Sequence, residues 1–385
     1  MLDPSFEAAI RELLAEAETP FYVYDLREIS REAEAFSRAF PGARFLYAVK
    51  ANPRLFLLRH LRERGFLAET VSLGEVLRAY RAGFLPREVL LNGPVKPPGA
   101  LRALAEAGPP RLVVDSRADL ERVARHLPGA EVLIRVNPDL PVSTHPHLAT
   151  GRGDSQFGTL PPEVPALAAR ARELGLVLLG LHLHLGSALE DPEDFAAGYR
   201  VLGELLDEIG PQPVVDLGGG FGLDLDLGAL APLVADFRRR AGEVWLEPGR
   251  RLVARAGALV TRVWGEKRTR RRYLLLDAGM NHFLRPALYG ARPPVVPLYR
   301  SSEEGVFDLA GPACESTDVL ARDVRLPVPE EGDAVAILEA GAYGGAMALG
   351  YLDTPHPAEY LWDGERWVEL RPRQGYGELF SAERI

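Results

Sequence analysis

The chain of 385 residues has one cysteine, Cys314. No intrachain disulfide is possible, and nothing in the cysteine content supports secretion. No apolar run approaches the ~20 residues of a membrane-spanning helix, so no membrane role is expected. The first residues are acidic and amphipathic, unlike the start of a signal peptide, and cytoplasm is the expected location. A formal charge of −9 argues against a nucleic-acid surface. The short basic run 267–272 is read as solvating a hairpin or a domain junction. The eight histidines form no His-Glu-x-x-His motif and one cysteine makes no Cys-x-x-Cys pair, so no metal site is expected. Lysine is scarce too. Lys50, Lys96 and Lys267 are the only lysines among 45 basic residues. The others are arginines, whose guanidinium forms no Schiff base, so lysine chemistry has three possible seats.

What is present centres on Phe-Leu-Tyr-Ala-Val-Lys-Ala-Asn-Pro, residues 45–53. Five mostly apolar residues read as a buried strand, and Asn-Pro after Lys50 is turn chemistry. A lysine at the rim of a buried sheet is expected to lose proton affinity by desolvation and become a nucleophile. A plain surface lysine is the rival reading of this stretch alone.

Around it a unit repeats: short apolar strand, polar or glycine-rich turn, amphipathic helix. Strands are expected at 45–49, 67–72, 88–92, 111–115, 131–136, 179–185, 213–217 and 243–247, and helices at 54–64, 74–82, 98–107, 117–127, 161–175, 190–209 and 229–241. Ser116, Pro161-Pro162 and Asp191-Pro192 are helix-start signals. Strict alternation implies parallel strands with right-handed crossovers, and eight units in about 220 residues fit a (β/α)8 TIM-type barrel. Residues 3–17 and 26–39 read as helices and 21–25 as a strand. From about 255 the pattern turns to strands punctuated by glycine and proline: 252–264, 273–277, 294–299, 305–310 and 334–339. The expected organisation is an N-terminal segment 1–35, a barrel 36–255 and a mostly β C-terminal domain 256–385. Strand 21–25 is a candidate to join the β domain.

In such barrels chemistry sits at the C-terminal strand ends. There the chain carries Lys50, Glu69, Asn92, Arg135, His182 and His184 with Ser187, the glycines 218–220, and Glu247 with Gly249 and Arg250. Three glycines let backbone N–H groups close on an anion, and with Gly249 and the Ser187 hydroxyl they are placed to cup a phosphate. A dinucleotide fingerprint is the rival, and it fails because Leu223 stands where the last glycine or alanine is required. A Schiff-base lysine plus a phosphate cup suggests pyridoxal 5'-phosphate. Glu247 is then placed to pair with the pyridine nitrogen, and His184 to lie flat on the ring. The plainer reading of His184 is a hydrogen-bonded core histidine.

Taken together, Tyr-Ala-Val-Lys50-Ala-Asn, His-Leu-His184-Leu-Gly-Ser187, Asp216-Leu-Gly-Gly-Gly-Phe and Glu247-Pro-Gly-Arg250 resemble the alanine-racemase-fold (type III) pyridoxal-phosphate decarboxylases. The resemblance runs from about residue 20 to 375. Within that group the diaminopimelate decarboxylase family is closest. The motifs are Thr144-His-Pro-His-Leu-Ala-Thr-Gly151, Asp154-Ser-Gln-Phe-Gly158, Gly279-Met-Asn281, Arg285-Pro-Ala-Leu-Tyr289-Gly, Gly311-Pro-Ala-Cys314-Glu315-Ser316 and Gly341-Ala-Tyr343-Gly344.

The resemblance implies a barrel followed by a β domain, and roles for individual residues. Lys50 carries the cofactor as a Schiff base, His184 stacks on its ring, and Glu247 pairs with its nitrogen. Ser187, Gly219, Gly220 and Gly249 hold the phosphate, with Tyr343 close to it and near the substrate. Arg250 touches either phosphate or a substrate carboxylate. Arg285 and Tyr289 hold the distal carboxylate of the substrate. Cys314 and Glu315 enter from the neighbouring subunit of a homodimer, the thiol to reprotonate Cα and the carboxylate to bind the distal amine. The implied reaction converts meso-2,6-diaminopimelate to L-lysine and CO2. The chain departs from the family pattern at Glu69, where an aspartate is usual, at Gln156, where a lysine is frequent, and at Leu349-Gly-Tyr-Leu352, where Ser-Asn-Tyr-Asn is usual. Three other readings stand beside it: a sister decarboxylase of ornithine, arginine or carboxynorspermidine, a racemase on the same fold, and a non-catalytic relative.

Overall fold

A computed structural model describes residues 2–140 and 150–384. They fall into two compact units, Glu32–Arg251, and Met1–Arg31 with Leu252–Ile385. Strand β1 (Phe21–Asp25) belongs to the second of these. The first is a closed barrel of eight parallel strands: β2 (Arg44–Ala48), β3 (Leu67–Thr70), β4 (Val89–Leu91), β5 (Arg111–Val114), β6 (Glu131–Val136), β7 (Val177–Leu183), β8 (Gln212–Asp216) and β9 (Ala241–Leu246). Apart from the last, each is followed by a helix that returns the chain to the start of the next strand. Their starts are chemically marked. Ser116 accepts from Asp119 N ahead of Arg117–His126, and Asp191 accepts from Glu193 N ahead of Pro192–Ile209.

Side chains alternate along a strand, so every second residue faces the lumen. One lumen layer is apolar: Leu46, Leu90, Val113, Leu133, Leu179, Val214 and Trp245, with Leu67 against it. Two residues on, toward the C-terminal rim, stand Ala48, Glu69, Asn92, Asp115, Arg135, Asp216 and Glu247. On β7 the step is three residues, to His182. The cause is a bulge: the β6–β7 register runs from Val132↔Leu178 to Leu133↔Gly180, which leaves Leu179 as the extra residue. Only glycine fits at position 180, because a Cβ there would lie 1.8 Å from Val214 O. The barrel thus carries a layer of seven polar side chains directly above its apolar plug, none more than 6% exposed.

The other unit is a nine-stranded sheet. Its strands after β1 are β10 (Gly257–Arg268), β11 (Arg272–Leu276), β12 (Val295–Pro297), β13 (Glu304–Ala310), β14 (Val319–Pro327), β15 (Ala334–Ile337), β16 (Ala358–Trp362) and β17 (Trp367–Arg371). β1 lies antiparallel to β10 and parallel to β16, so the early strand does join the β domain. It is buried at every position because both faces are covered. Phe21 and Val23 pack with Phe6, Ile10 and Leu13 of the helix Pro4–Leu13, while Tyr22 and Tyr24 pack with Leu259, Phe307 and Ile337 on the other face.

Two sequence expectations need correction here. Residues 252–264 do not form one strand: Arg250–Val253 is a helical turn and β10 starts at Gly257. β14, β16 and β17 were not expected at all. The basic run 267–272 does sit on a hairpin, between β10 and β11, where Arg268 and Arg272 pair with Glu266. Among the described residues no helix is long and apolar enough to cross a membrane.

Candidate active site

Lys50 stands one turn beyond the end of β2, in the 3-10 segment Val49–Ala51, rather than directly at a strand end. Its Nζ donates to Glu69 Oε2 at 2.9 Å. Glu69 is fully buried on β3 while the lysine side chain is 35% exposed. Burial pushes the Glu69 carboxyl up, against the pull of the Lys50 charge, to about 7. A carboxyl that titrates there, hydrogen-bonded to an amine, can take a proton and return it at neutral pH.

Glu247 follows β9 and is 2% exposed. Neither of its carboxylate oxygens has a hydrogen-bond partner, although His182 Nε2 approaches Oε1 to 3.3 Å. Burial alone would raise its pKa. The neighbouring His182, Lys50 and His184 outweigh that and hold it at about 2. Asp216, at the end of β8, moves the other way, well above its usual range, through burial and then the Glu247 charge. Burial and the neighbouring Glu247 charge thus favour the neutral form of Asp216. One polar side-chain atom from each of His182, Asp216 and Glu247 lies within 4.8 Å of the other two.

His184 caps the same end of the lumen. Its Nδ1 accepts from Gly219 N at 3.4 Å, and burial, followed by Lys50 and Arg135, pushes its pKa well below the ordinary value. The ring is therefore neutral at neutral pH. Gly218, Gly219 and Gly220 pass so close to neighbouring backbone that added Cβ atoms would lie 1.9 Å from Leu183 O, 2.3 Å from Glu247 O and 2.6 Å from Gly186 O. Glu247 N donates to Gly218 O at 2.8 Å and Leu189 N to Gly220 O at 2.9 Å, which pins the turn to both adjoining loops. Packing alone therefore demands these glycines. Gly249 is equally constrained, with a Cβ there 2.8 Å from that of Ala48. Arg250 donates through Nε and Nη2 to Ser187 Oγ at 3.2 and 3.0 Å. Lys50, His184, Ser187, Gly219, Gly220, Glu247, Gly249 and Arg250 thus share the C-terminal end of the barrel.

The remaining predicted residues belong to the β-sheet unit. Arg285 opens the short helix Arg285–Tyr289, half-buried, and donates to Glu339 O at 3.0 Å. Tyr343 occupies a left-handed conformation, φ 56°. Cys314 is exposed, and so is Glu315, whose Oε1 accepts from Tyr351 Oη at 2.7 Å. Asp318 builds the loop that carries them. It is 2% exposed, and its carboxylate accepts from Met280 N at 2.6 Å and Ala313 N at 2.7 Å. Within the Thr144–Gly151 motif, residues 144–149 lie outside the described residues; Thr150 Oγ1 donates to His184 O at 3.0 Å. Sequence reasoning placed Glu69 and His182 at strand ends without giving them a role, and did not single out Asp216, Asp318 or Tyr351 as site residues. Counting two residues past the apolar lumen layer on each strand finds Glu69 and Asp216. The bulge on β7 hides His182 from that count.

Comparison with known proteins now decides the family. Residues 26–254 match the family described as pyridoxal-dependent decarboxylase, pyridoxal binding domain. A diaminopimelate decarboxylase of Deinococcus radiodurans is 48% identical over 95% of this chain and 96% of its own. That of Archaeoglobus fulgidus is 36% identical, covering 98% and 95%. This chain belongs to the diaminopimelate decarboxylase family of pyridoxal-dependent decarboxylases. The crystal structure of a family member from Helicobacter pylori, complexed with L-lysine, superposes with a TM-score of 0.91 at 32% identity and covers 97% of this chain and 98% of its own. One from M. jannaschii, in co-complex with L-lysine, gives 0.90 at 30% identity, with 98% and 94% covered. Both the barrel and the sheet are therefore part of the family's common fold.

Proposed function

We propose that this protein decarboxylates meso-2,6-diaminopimelate to L-lysine and CO2 in lysine biosynthesis, with pyridoxal 5'-phosphate as its cofactor. The observation that carries the reading is the lumen rim itself. A lysine paired with a sealed carboxyl and a second, unpartnered carboxylate face one cavity end, in a chain of this family.

The residues fit the cofactor. Two orphaned oxygens on a fully buried carboxylate cost free energy unless a cation or N–H donor meets them, and a protonated pyridine nitrogen is such a partner. Bare glycine backbone, the Ser187 hydroxyl and the Arg250 guanidinium suit a phosphate. The two hydrogen bonds that Arg250 donates to Ser187 Oγ support phosphate, rather than substrate carboxylate, as its ligand. When bound, the cofactor supplies an electron sink for the pair left behind as CO2 departs.

The chain's own residues do the rest. Lys50 would hold the cofactor through its amine. Glu69 takes and returns the Lys50 proton. Neutral His184 offers a flat face to the ring, and Glu247 keeps the ring nitrogen protonated. Arg285, with a planar fork, and Tyr289 bind the distal carboxylate, and Glu315, oriented by Tyr351, binds the distal amine. Tyr343 borders cofactor and substrate. Cys314 returns a proton to Cα from its thiol. Cys314 and Glu315 serve the site of a neighbouring subunit, which makes the homodimer the active form. The cytoplasm, where pyridoxal phosphate is available and thiols stay reduced, is the proposed location.

Purified protein with pyridoxal phosphate and meso-diaminopimelate is the test. CO2 and L-lysine in equal amounts are expected. Cofactor binding with no CO2 from this substrate, but release from ornithine or arginine, would refute the substrate and point to residues 349–352.

A further inference from the structure

The Gly279-Met-Asn281 motif has no part in the proposed chemistry, yet Asn281 sits on a turn and is only 4% exposed. Both protons of its amide are used. Nδ2 donates to Tyr351 O at 2.7 Å and to Thr354 Oγ1 at 2.8 Å. Between these anchors lie Leu352 and Asp353, both left-handed, at φ 60° and φ 50°. Two such residues in a row are strained and persist only where their surroundings hold them. Here one amide is clamped across the turn. Leu349 N donates to Asn281 O at 2.8 Å and fixes the approach to it. Asn281 Oδ1 is buried with no hydrogen-bond partner among the described residues, a cost that a merely space-filling residue would not carry. The turn presents Tyr351, whose hydroxyl donates to Glu315 Oε1 at 2.7 Å. The backbone of Glu315 is held as well. Asp318 N donates to Glu315 O at 3.0 Å, and the Asp318 carboxylate accepts from Met280 N at 2.6 Å. Hydrogen bonds thus run in a closed ring from Asn281 through Tyr351, Glu315 and Asp318 to Met280, all within the sheet unit.

We propose that Asn281 is a positioning residue for Glu315 and, through it, a determinant of specificity at the distal end of the substrate. Its amide holds the left-handed turn, and the turn sets where the Tyr351 hydroxyl stands. The hydroxyl selects one orientation of a carboxylate that would otherwise rotate freely. Oε1 is taken by the tyrosine, which leaves Oε2 for an ammonium. The inference rests on the reading that Glu315 binds the distal amine. Its physical basis is that a hydrogen bond to a charged group is strong only when donor and acceptor meet in line. A glutamate side chain loses rotamer freedom in making one, and loses less if a neighbour has already fixed it.

The test measures the equilibrium binding of two ligands to the holoprotein, L-lysine and 6-aminohexanoate, followed by the absorbance of the cofactor. They share a terminal amine, a carbon chain and a carboxylate. They differ in the amine beside the carboxylate, so every other contact cancels in the ratio of their dissociation constants. Wild-type protein is expected to prefer L-lysine by about tenfold, the scale of one hydrogen bond to a charged group. E315Q removes most of that preference. Y351F lowers it roughly threefold, and N281A does the same. The double variant N281A/Y351F is expected to lose no more than Y351F alone, because the amide acts through the hydroxyl. If N281A does not fold, T354V, which removes one of the two anchors of the amide, is read in its place. It is expected to lower the preference about twofold and to add nothing to Y351F. An unchanged ratio in N281A, or in T354V where it stands in, makes Asn281 merely structural and overturns the proposal. So does a multiplied loss in the double variant, which would make the two residues independent. A wild-type protein that binds both ligands equally, or full preference in E315Q, overturns the reading of Glu315 itself and the proposal with it.

Discussion

Glu69 fixes a pH at which the barrel changes. Its carboxyl rises from an ordinary 4.5 to about 7 in the folded protein. The folded state therefore holds a proton that the unfolded state has lost between those values, and stability falls as pH rises through the window. At 1.36 kcal/mol per unit the loss is on the order of 3 kcal/mol. Asp216, raised for the same reason, adds in the same direction. The apoprotein is expected to melt at lower temperature at pH 8 than at pH 5.5, and E69Q to flatten that difference; an unchanged slope in E69Q would remove the role given to burial. Lys50→Ala is expected to abolish CO2 release from holoprotein of normal fold, and full activity would remove the mechanism. At this scale the sequence showed the groups with a motif around them, Lys50, Glu247 and the glycines. It did not show His182 or Asp216 as a pair, because their partnership depends on how β7 and β8 stand in register, which no local pattern records.

Elements were legible where both faces of a strand are buried. All eight barrel strands begin or end within a few residues of their apolar runs, since a parallel sheet wrapped in helices leaves no polar face to blur the signal. β14 and β17 were invisible for the opposite reason. Val-Leu-Ala-Arg-Asp-Val-Arg-Leu-Pro and Trp-Val-Glu-Leu-Arg carry arginine and acid on their solvent side, as outer strands of a sheet do. The bulge gives a sharp prediction. Gly180→Ala puts a Cβ 1.8 Å from Val214 O, so β7 must move; largely insoluble protein or a fall in Tm of roughly 6 °C or more is expected, for about 3 kcal/mol or more of a severe clash in a core. Gly65→Ala, also left-handed but with nothing within 4 Å, is the control and should cost about 1 kcal/mol. A second strained place is Leu352, at φ 60° and ψ 29°, where an asparagine is usual in the family the sequence resembles. Leu352→Asn is expected to raise Tm by roughly 2 °C, for about 1 kcal/mol of relieved backbone strain. No rise would mean that the leucine gains as much from its contacts as its backbone loses.

At the scale of the whole molecule, the proposed residues divide between the two units. Lys50 and Glu247 lie in the barrel unit; Cys314 and Glu315 lie in the sheet unit. The homodimer reading has a direct check. K50A and C314A variants, each inactive alone, are unfolded, mixed and refolded together. A symmetric dimer with sites shared between subunits regains activity approaching roughly a quarter of wild type, since half of the dimers are mixed and each holds one intact site. No recovery would place all the catalytic groups of a site in one subunit. Which unit each residue joins was legible from the change of pattern near residue 255; that β1 lies in the middle of the later sheet was not, because its partners β10 and β16 are more than 200 residues away in the chain.

The sealing of Lys96 has a practical result. Its ammonium is tied to Asp119 Oδ2 at 2.7 Å with both side chains at most 2% exposed, so it is closed to reagents. Lys267 is exposed on the β10–β11 hairpin, and Lys50 is open to the lumen rim. To an acylating or glycating compound the folded surface is nearly blank, with two reachable side-chain amines on a protein of 42.2 kDa. Trypsin, in turn, cuts almost entirely at arginine. A tag on Lys50 would be recovered on one short peptide, Phe-Leu-Tyr-Ala-Val-Lys-Ala-Asn-Pro-Arg, readable by mass spectrometry without separating it from a background of labelled lysines.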